Sequence, residues 1–143
     1  MQKKQLITSN EIKQAVAFHG HLGPWLILGM LMGRGALSLL EANKYFGINV
    51  LVTGATERPF SCLIDGLQLS TGATFGKGNI QKRKGAAIAV LFKNKTSGTS
   101  LRIALRSDIF KKVTQLHGHH AAEAYARVLA RQTFEALFVV TYC

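Results

Sequence analysis

The sequence predicts an α+β fold in which a mixed or antiparallel sheet packs against a long buried central helix and a long C-terminal helix. An apolar run over residues 24–44 is hydrophobic on nearly every side, as is typical of a buried helix. Two strand-like segments, residues 86–93 and 100–106, are separated by a short turn and indicate a β-hairpin. A helical pattern follows over residues 108–132. This grouping of hairpin-connected strands and helices favours the α+β class.

Length and composition are those of one globular domain, which we expect to span residues 1–143. With 48% hydrophobic and 17% charged residues, the chain is not disordered. Cys62 and Cys143 form no disulfide framework, and the polar N-terminus lacks a signal-peptide pattern, so we expect a cytoplasmic protein. Glycines and Arg34 interrupt the apolar helix, which favours burial in a soluble protein over a membrane span.

The chain is strongly basic, with a net charge of +11 and a pI of about 10.1. No acidic residue lies between Asp65 and Asp108. Such a field attracts nucleic acid, anionic lipid or an acidic ligand, or else it is simply a solvated basic surface. No zinc-finger or RNA-recognition motif accompanies the charge, which disfavours nucleic acid as the partner.

The other elements are predicted from local signals. Thr8 or Ser9 caps a first helix that ends near Gly20. Ser61 caps another that begins at Cys62 and ends near residue 69. In chain order we further expect a buried strand at residues 49–56, a glycine-rich loop at 70–79, and a helical turn with a last strand at 134–141.

The segment Phe18–Gly35 carries the first candidate site, a His-x-His pair before a Gly-Pro helix start. Side chains two residues apart share a side of an extended backbone, so His19 and His21 can point the same way. Neutral imidazoles are ligands for zinc or another divalent transition metal. A pair of hydrogen-bonding loop histidines is the alternative interpretation.

A second candidate group lies at the next helix start. Cys62 and Asp65 are three residues apart and share a helical face, where they can complete a site with the histidines. The first-turn position favours thiolate through the helix dipole. Asp65 or Glu57 can act as a general base. The alternative is a small core cysteine beside a solvated carboxylate.

Two further motifs are less specific. The loop GATFGKGN, with Lys77 between two glycines, is either a backbone cradle for an anion or a structural turn. His117, His119 and His120 fall within one predicted helix. His117 and His120 can chelate a metal, but surface histidines are the favoured interpretation.

Taken together, the segments FHGHLGPWLILG (residues 18–29) and ERPFSCLIDGLQLSTGATFGKGN (residues 57–79) resemble the FmdE family, named for the E component of formylmethanofuran dehydrogenase. That family's pattern opens with Phe-His-Gly-His-Leu-Cys-Pro-Gly. It continues with an acidic residue, a Cys-x-x-Asp segment and a Thr-Gly-Cys-Thr-Phe-Gly-Lys-Gly-Asn loop. The resemblance implies an α+β core, often dimeric, with a cleft that can hold a metal, commonly zinc.

The resemblance also implies roles for the matching positions. His19, His21 and Cys62 would bind the metal, and Cys62, Asp65 and Glu57 would be catalytic. The loop matches at three positions, implying a ligand site formed by Thr74, Lys77 and Asn79.

Three positions depart from the family pattern. Gly23 and Ala73 replace two cysteines, which argues against a dithiol–disulfide cycle. Trp25 replaces a glycine and offers an aromatic wall to an organic ligand. Nothing in the sequence corresponds to the C-terminal zinc-finger extension of some members.

The resulting expectation is a cytoplasmic, homodimeric metal-binding protein, connected by resemblance to one-carbon and molybdenum enzyme metabolism. It specifies no reaction and leaves open whether the protein is an enzyme. One alternative is a metal-free module that binds an anionic small molecule through the GATFGKGN loop. The other is a basic nucleic-acid-binding protein.

Overall fold

The computed structural model describes residues 7–143; the predicted polar segment at residues 1–6 lies outside the described residues. The described chain forms an α+β fold of six α-helices and one five-stranded mixed sheet, which confirms the predicted class. The helices are α1 (Ser9–His19), α2 (Pro24–Leu40), α3 (Cys62–Thr71), α4 (Ser107–Thr114), α5 (His119–Leu129) and α6 (Phe134–Leu137). The strands are β1 (Ile48–Thr53), β2 (Ile80–Arg83), β3 (Ala89–Asn94), β4 (Ser100–Leu105) and β5 (Phe138–Tyr142).

The sheet has the strand order β2-β1-β3-β4-β5. β1 and β2 are parallel, whereas the other neighbours are antiparallel, with Val52 opposite Val90 and Ile103 opposite Val140. Side chains alternate across the sheet, so Val50 and Val52 of β1 are buried while Asn49 is exposed. One face of the sheet therefore carries the core.

α2 is the central element of that core. Thirteen of its seventeen residues are buried, and it contacts α3, α5, α6, β3 and β4. The predicted buried helix is thus confirmed, but it ends at Leu40 rather than near Lys44. Glu41 adopts a left-handed conformation with φ of 49°, and its backbone N–H donates to Leu37 and Ser38 as the helix ends.

Glycines let α2 and α3 pack with their backbones in contact. A Cβ atom at Gly29 would overlap the carbonyl oxygen of Leu63, and one at Gly66 would overlap that of Leu26. At Gly33 it would overlap the Ser70 hydroxyl. The sequence prediction of a close approach at Gly29 and Gly33 is therefore confirmed. The partner is α3 of the same chain, so these glycines give no support to a dimer.

The predicted long C-terminal helix is wrong. The segment forms two helices, α4 and α5, because Gly118 has φ of 85° and interrupts the helical backbone. As a consequence His119 stands at the start of α5, and His117 lies outside any helix.

Several boundaries differ from the sequence prediction. β2 follows the glycine-rich loop and was not predicted as a separate strand, since only Ile80 of its four residues is buried. β1 ends at Thr53 instead of residue 56, and β3 begins at Ala89 instead of residue 86. α3 extends to Thr71 rather than residue 69.

The predicted caps have mixed outcomes. Thr8 caps α1 in a reciprocal arrangement with Glu11, as expected. Ser61 precedes α3 but makes no side-chain capping hydrogen bond. The helical turn and last strand at the C-terminus are confirmed as α6 and β5.

Within residues 7–143, no individual helix has both the length and the apolar character needed to cross a membrane. α1 and α2 meet those criteria only when taken together, and they are bent by 117° at the break between them.

We predict that Gly29→Ala destabilises the fold by about 2 kcal/mol or more, because the added methyl group overlaps backbone that cannot move aside. Chemical denaturation measures the change. Gly76→Ala is the matched control, since a Cβ there comes no closer than 3.8 Å to the Thr74 hydroxyl. Equal stabilities of Gly29→Ala and the unmodified protein would contradict the described packing of α2 on α3.

A histidine and cysteine cavity at three helix N-termini

The candidate site is a cavity of about 120 Å³ where the N-terminal ends of α2, α3 and α5 meet. The segment between α1 and α2 crosses this point and brings in the His-x-His pair. The lining residues that bear titratable groups are His19, His21, Cys62 and His119, and the apolar wall includes Leu22, Pro24, Trp25, Leu26 and Pro59. The structure therefore brings together the two sequence segments that carry the predicted site.

His19 is anchored by Asp65. Its Nδ1 lies 2.5 Å from Asp65 Oδ2, and the His19 side chain is only 9% exposed. Because an ionised carboxylate only accepts hydrogen bonds, Nδ1 carries the hydrogen that joins the two groups. This contact joins the end of α1 to the first turn of α3 and fixes the orientation of the ring.

The other ring nitrogen of His19 is buried without a partner. Nε2 is the one buried side-chain nitrogen or oxygen in residues 7–143 that forms no hydrogen bond. With Nδ1 protonated, Nε2 of the neutral ring holds a free lone pair. An unpaired buried polar atom is costly, so such an atom beside a cavity indicates a binding function.

His21 and His119 complete the histidine cluster. The ring centroids of His19 and His21 are 4.8 Å apart, and those of His21 and His119 are 6.4 Å apart. Burial lowers the pKa of His21, and positive charge on His19 and His119 lowers it further. A neutral imidazole is the form that binds a metal, so these neighbours favour the binding-competent state of His21.

His119 is a site residue that the sequence analysis did not select. The sequence pattern places it with His117 and His120 in one long helix and favours a surface position. His119 is exposed, but it also lines the cavity. The signal that could have found it is Gly118, which starts a new helix just before it.

Cys62 lies on the first turn of α3, as predicted, but its thiol is not favoured as thiolate. Burial raises its pKa, and the negative charge of Asp65 raises it further, against an opposing effect of Arg58. The expected thiolate preference is therefore wrong for the metal-free protein. Desolvation and a nearby carboxylate outweigh the helix dipole.

The other predicted catalytic and wall residues lie around this cavity in different ways. Trp25 is buried, lines the cavity, and contacts Phe60 and Phe110 at centroid distances of 5.3 and 6.2 Å. Asp65 acts on His19. Glu57 is exposed on the turn before α3 and does not line the cavity.

The glycine-rich loop lies at the other end of α3. This helix has ten residues, and at about 1.5 Å rise per residue it separates the loop from Cys62 by roughly 15 Å. Asn79 is buried and accepts from the Thr74 N–H at 3.0 Å, while its amide donates to the Ile48 carbonyl at 3.1 Å. Asn79 therefore fastens the loop to the start of β1.

The remaining donors of the loop also have partners within the chain. The backbone N–H groups of Phe75, Lys77 and Gly78 donate to acceptors in the loop or in α3. The Lys77 ammonium lies over the rings of Tyr45 and Phe46, at 5.8 and 5.7 Å from their centroids. These contacts are those of a structural turn, and anion binding by the loop stays a prediction.

The two replaced cysteines of the family pattern are separated in space. Gly23 lines the cavity, and a Cβ atom there would lie 3.3 Å from His21 Nε2. Ala73 is fully buried beyond the opposite end of α3. Only the Gly23 position would have placed a second thiol beside the cavity with Cys62.

No three His, Cys, Asp or Glu side chains in residues 7–143 are already arranged as a metal-ligand set. The cavity nevertheless has donor chemistry suited to a borderline metal: an unpartnered imidazole nitrogen, a second imidazole and a thiol. Binding would require the exposed His21 or His119 ring to turn toward His19.

The fold and the cavity define a class: small α+β proteins with a histidine and cysteine cavity at converging helix N-termini. A family model described as FmdE, molybdenum formylmethanofuran dehydrogenase operon, matches residues 18–139. The chain therefore belongs to the FmdE family, which confirms the resemblance. No curated protein matches the sequence significantly.

A solved structure supports the same fold. The chain is similar to an FmdE-like protein of tungsten formylmethanofuran dehydrogenase from Syntrophus aciditrophicus, with a TM-score of 0.71 and 20% sequence identity. The match covers 99% of this chain and 76% of that one. At this identity the likeness establishes the architecture.

We predict that Cys62 of chelator-treated protein reacts slowly with iodoacetamide at neutral pH, with an apparent pKa above the ordinary 9.0. The Cys143→Ser variant isolates the reaction of Cys62. Adding Asp65→Asn removes a negative charge and lowers that apparent pKa, whereas adding Asp108→Asn leaves it unchanged. Rapid alkylation of Cys62 at pH 7 would contradict the described environment.

Proposed function

We propose that the protein binds one divalent transition metal ion, zinc by preference, in the histidine and cysteine cavity. The observation that carries this proposal is His19, whose Nδ1 is held by Asp65 while its buried Nε2 has no partner. A carboxylate that orients a histidine from its far nitrogen is the usual outer support of a metal ligand.

The proposed ligands are His19, His21 and Cys62, with His119 as a further imidazole on the cavity wall. Nitrogen and sulfur donors suit zinc, and a site with three protein ligands leaves a position for water or substrate. When bound there, zinc would supply a Lewis acid and lower the pKa of a coordinated water. It would also offset the effects that raise the pKa of Cys62, because a metal stabilises the thiolate.

The residues around the cavity have distinct tasks in this proposal. Asp65 is a positioning residue for His19 rather than the free general base considered from the sequence. His21 is exposed and, because its pKa is lowered, is neutral at physiological pH and competent to accept a proton or bind metal. Trp25, Leu22 and Leu26 form a dry wall that limits water to the open side.

The wider role rests on family membership. We propose a cytoplasmic protein connected with one-carbon and molybdenum or tungsten enzyme systems, in line with the family's description and with the name of the structural neighbour. A homodimer is part of this proposal through the resemblance alone. Whether the cavity performs a reaction follows from metal occupancy, which is the first property to measure.

We predict one zinc ion per chain in isothermal titration of chelator-treated protein, and loss of that binding in His19→Ala. Asp65→Asn should weaken binding about 10–100-fold, because it frees the His19 ring without removing a ligand. With Co²⁺ in place of zinc, a thiolate-to-cobalt absorption band should appear and should be absent in Cys62→Ser.

The matched control is His120→Ala, which removes an exposed histidine next to His119 that does not line the cavity. It should bind zinc as tightly as the unmodified protein. Thermal melts of each variant in the absence of metal show whether it is folded. Zinc binding that survives in folded His19→Ala, or that is lost equally in His120→Ala, would refute this site.

A further inference from the structure

A second and larger cavity lies on the other side of the aromatic cluster. Its volume is about 390 Å³, within the range of about 300–1,000 Å³ that is typical of small-molecule sites. It forms where the end of β1, the start of β3 and the end of β4 meet at one edge of the sheet. The apolar lining residues include Phe60, Ile88, Leu105 and Phe110.

Small residues create the space. Gly54 lies in the wall with φ of 83°, and a Cβ atom there would overlap the carbonyl oxygen of Ala87. Ala86, Ala87 and Ala104 line the cavity where larger side chains would fill it. The cavity is thus a feature of several independent sequence positions.

Aromatic rings form one wall. Phe60 and Phe110 are nearly parallel, with an interplanar angle of 18° and centroids 6.2 Å apart. Trp25 meets both rings edge-on, at 79° and 66°. Because Phe110 is 37% exposed, ring surface is available to a flat ligand, and aromatic rings favour aromatic partners.

The chain around the cavity is basic. Residues 82–88, which cross the cavity mouth, carry three cationic residues and no carboxylate. Residues 104–112 carry three cations, Arg106, Lys111 and Lys112, against one carboxylate, Asp108. The field at this edge of the sheet therefore favours an anionic ligand over a neutral or cationic one.

We propose that this cavity, which we name the Phe60–Phe110 pocket, binds a small aromatic carboxylate. The aromatic group lies against Phe60 and Phe110, and the carboxylate faces the basic chain at the mouth. This proposal goes beyond metal binding and does not depend on it, since the pocket shares no lining residue with the histidine and cysteine cavity. Trp25 contacts both rings and lines the other cavity, so it reports on occupancy of the pocket.

The experiment uses Trp25 as the probe. It is the only tryptophan, so full-length protein labelled with 5-fluorotryptophan gives one ¹⁹F resonance. Chelator-treated protein is titrated with 2-naphthoate and, separately, with the neutral 2-naphthylmethanol. We expect a saturable shift with 2-naphthoate and at least tenfold weaker binding of the alcohol.

Variants locate the effect. Ala87→Leu adds bulk at an exposed position of the pocket wall and should weaken 2-naphthoate binding at least tenfold. Ser97→Leu, an equivalent change on the exposed β3–β4 turn, should leave binding unchanged. If Ala87→Leu fails to fold, Ala86→Leu takes its place.

Three outcomes would overturn the proposal: absence of a saturable shift, equal binding by folded Ala87→Leu, or equal affinity for the neutral alcohol. A saturable shift with the expected ranking of ligands and variants supports it. Because zinc is absent throughout, the result is independent of the proposed metal site.

Discussion

The close packing of α3 on α2 is the constraint on which the site depends. At Gly29 and Gly66 the two backbones approach to distances that exclude any side chain. Since the helices cannot slide or separate without losing this fit, the first turn of α3 is fixed beside the start of α2. Cys62 and Asp65 are thereby held next to the His-x-His segment, which is distant from them in sequence.

The contact between His19 and Asp65 turns that packing into chemistry. Asp65 takes one nitrogen of the ring and leaves the other buried, with no hydrogen-bond partner in residues 7–143. The same carboxylate raises the pKa of Cys62, so without a cation the cavity holds neutral donors. A bound metal would reverse both features, by taking the free nitrogen and stabilising the thiolate.

Sequence reasoning predicted the parts of this protein that have strong local signals. The apolar run of α2, Gly29 and Gly33 as close contacts, and the pairing of His19 with the Cys62–Asp65 turn were all accessible. His119 was missed because helix periodicity continues across Gly118, and only its left-handed backbone ends the helix. The state of Cys62 depends on burial and on Asp65, neither of which a first-turn position reveals. Likewise, the Phe60–Phe110 pocket arises where three strand ends meet, which requires the sheet order.

Anomalous diffraction at the zinc absorption edge, on crystals of zinc-loaded protein, tests the proposed metal site most directly because it locates the ion. We expect one strong peak in the cavity, about 2.0–2.1 Å from His19 Nε2 and about 2.3 Å from Cys62 Sγ. A second imidazole, from His21 or His119, should complete the protein ligands. No peak in the cavity, or zinc found only on the exposed His117 and His120, would contradict the proposed site.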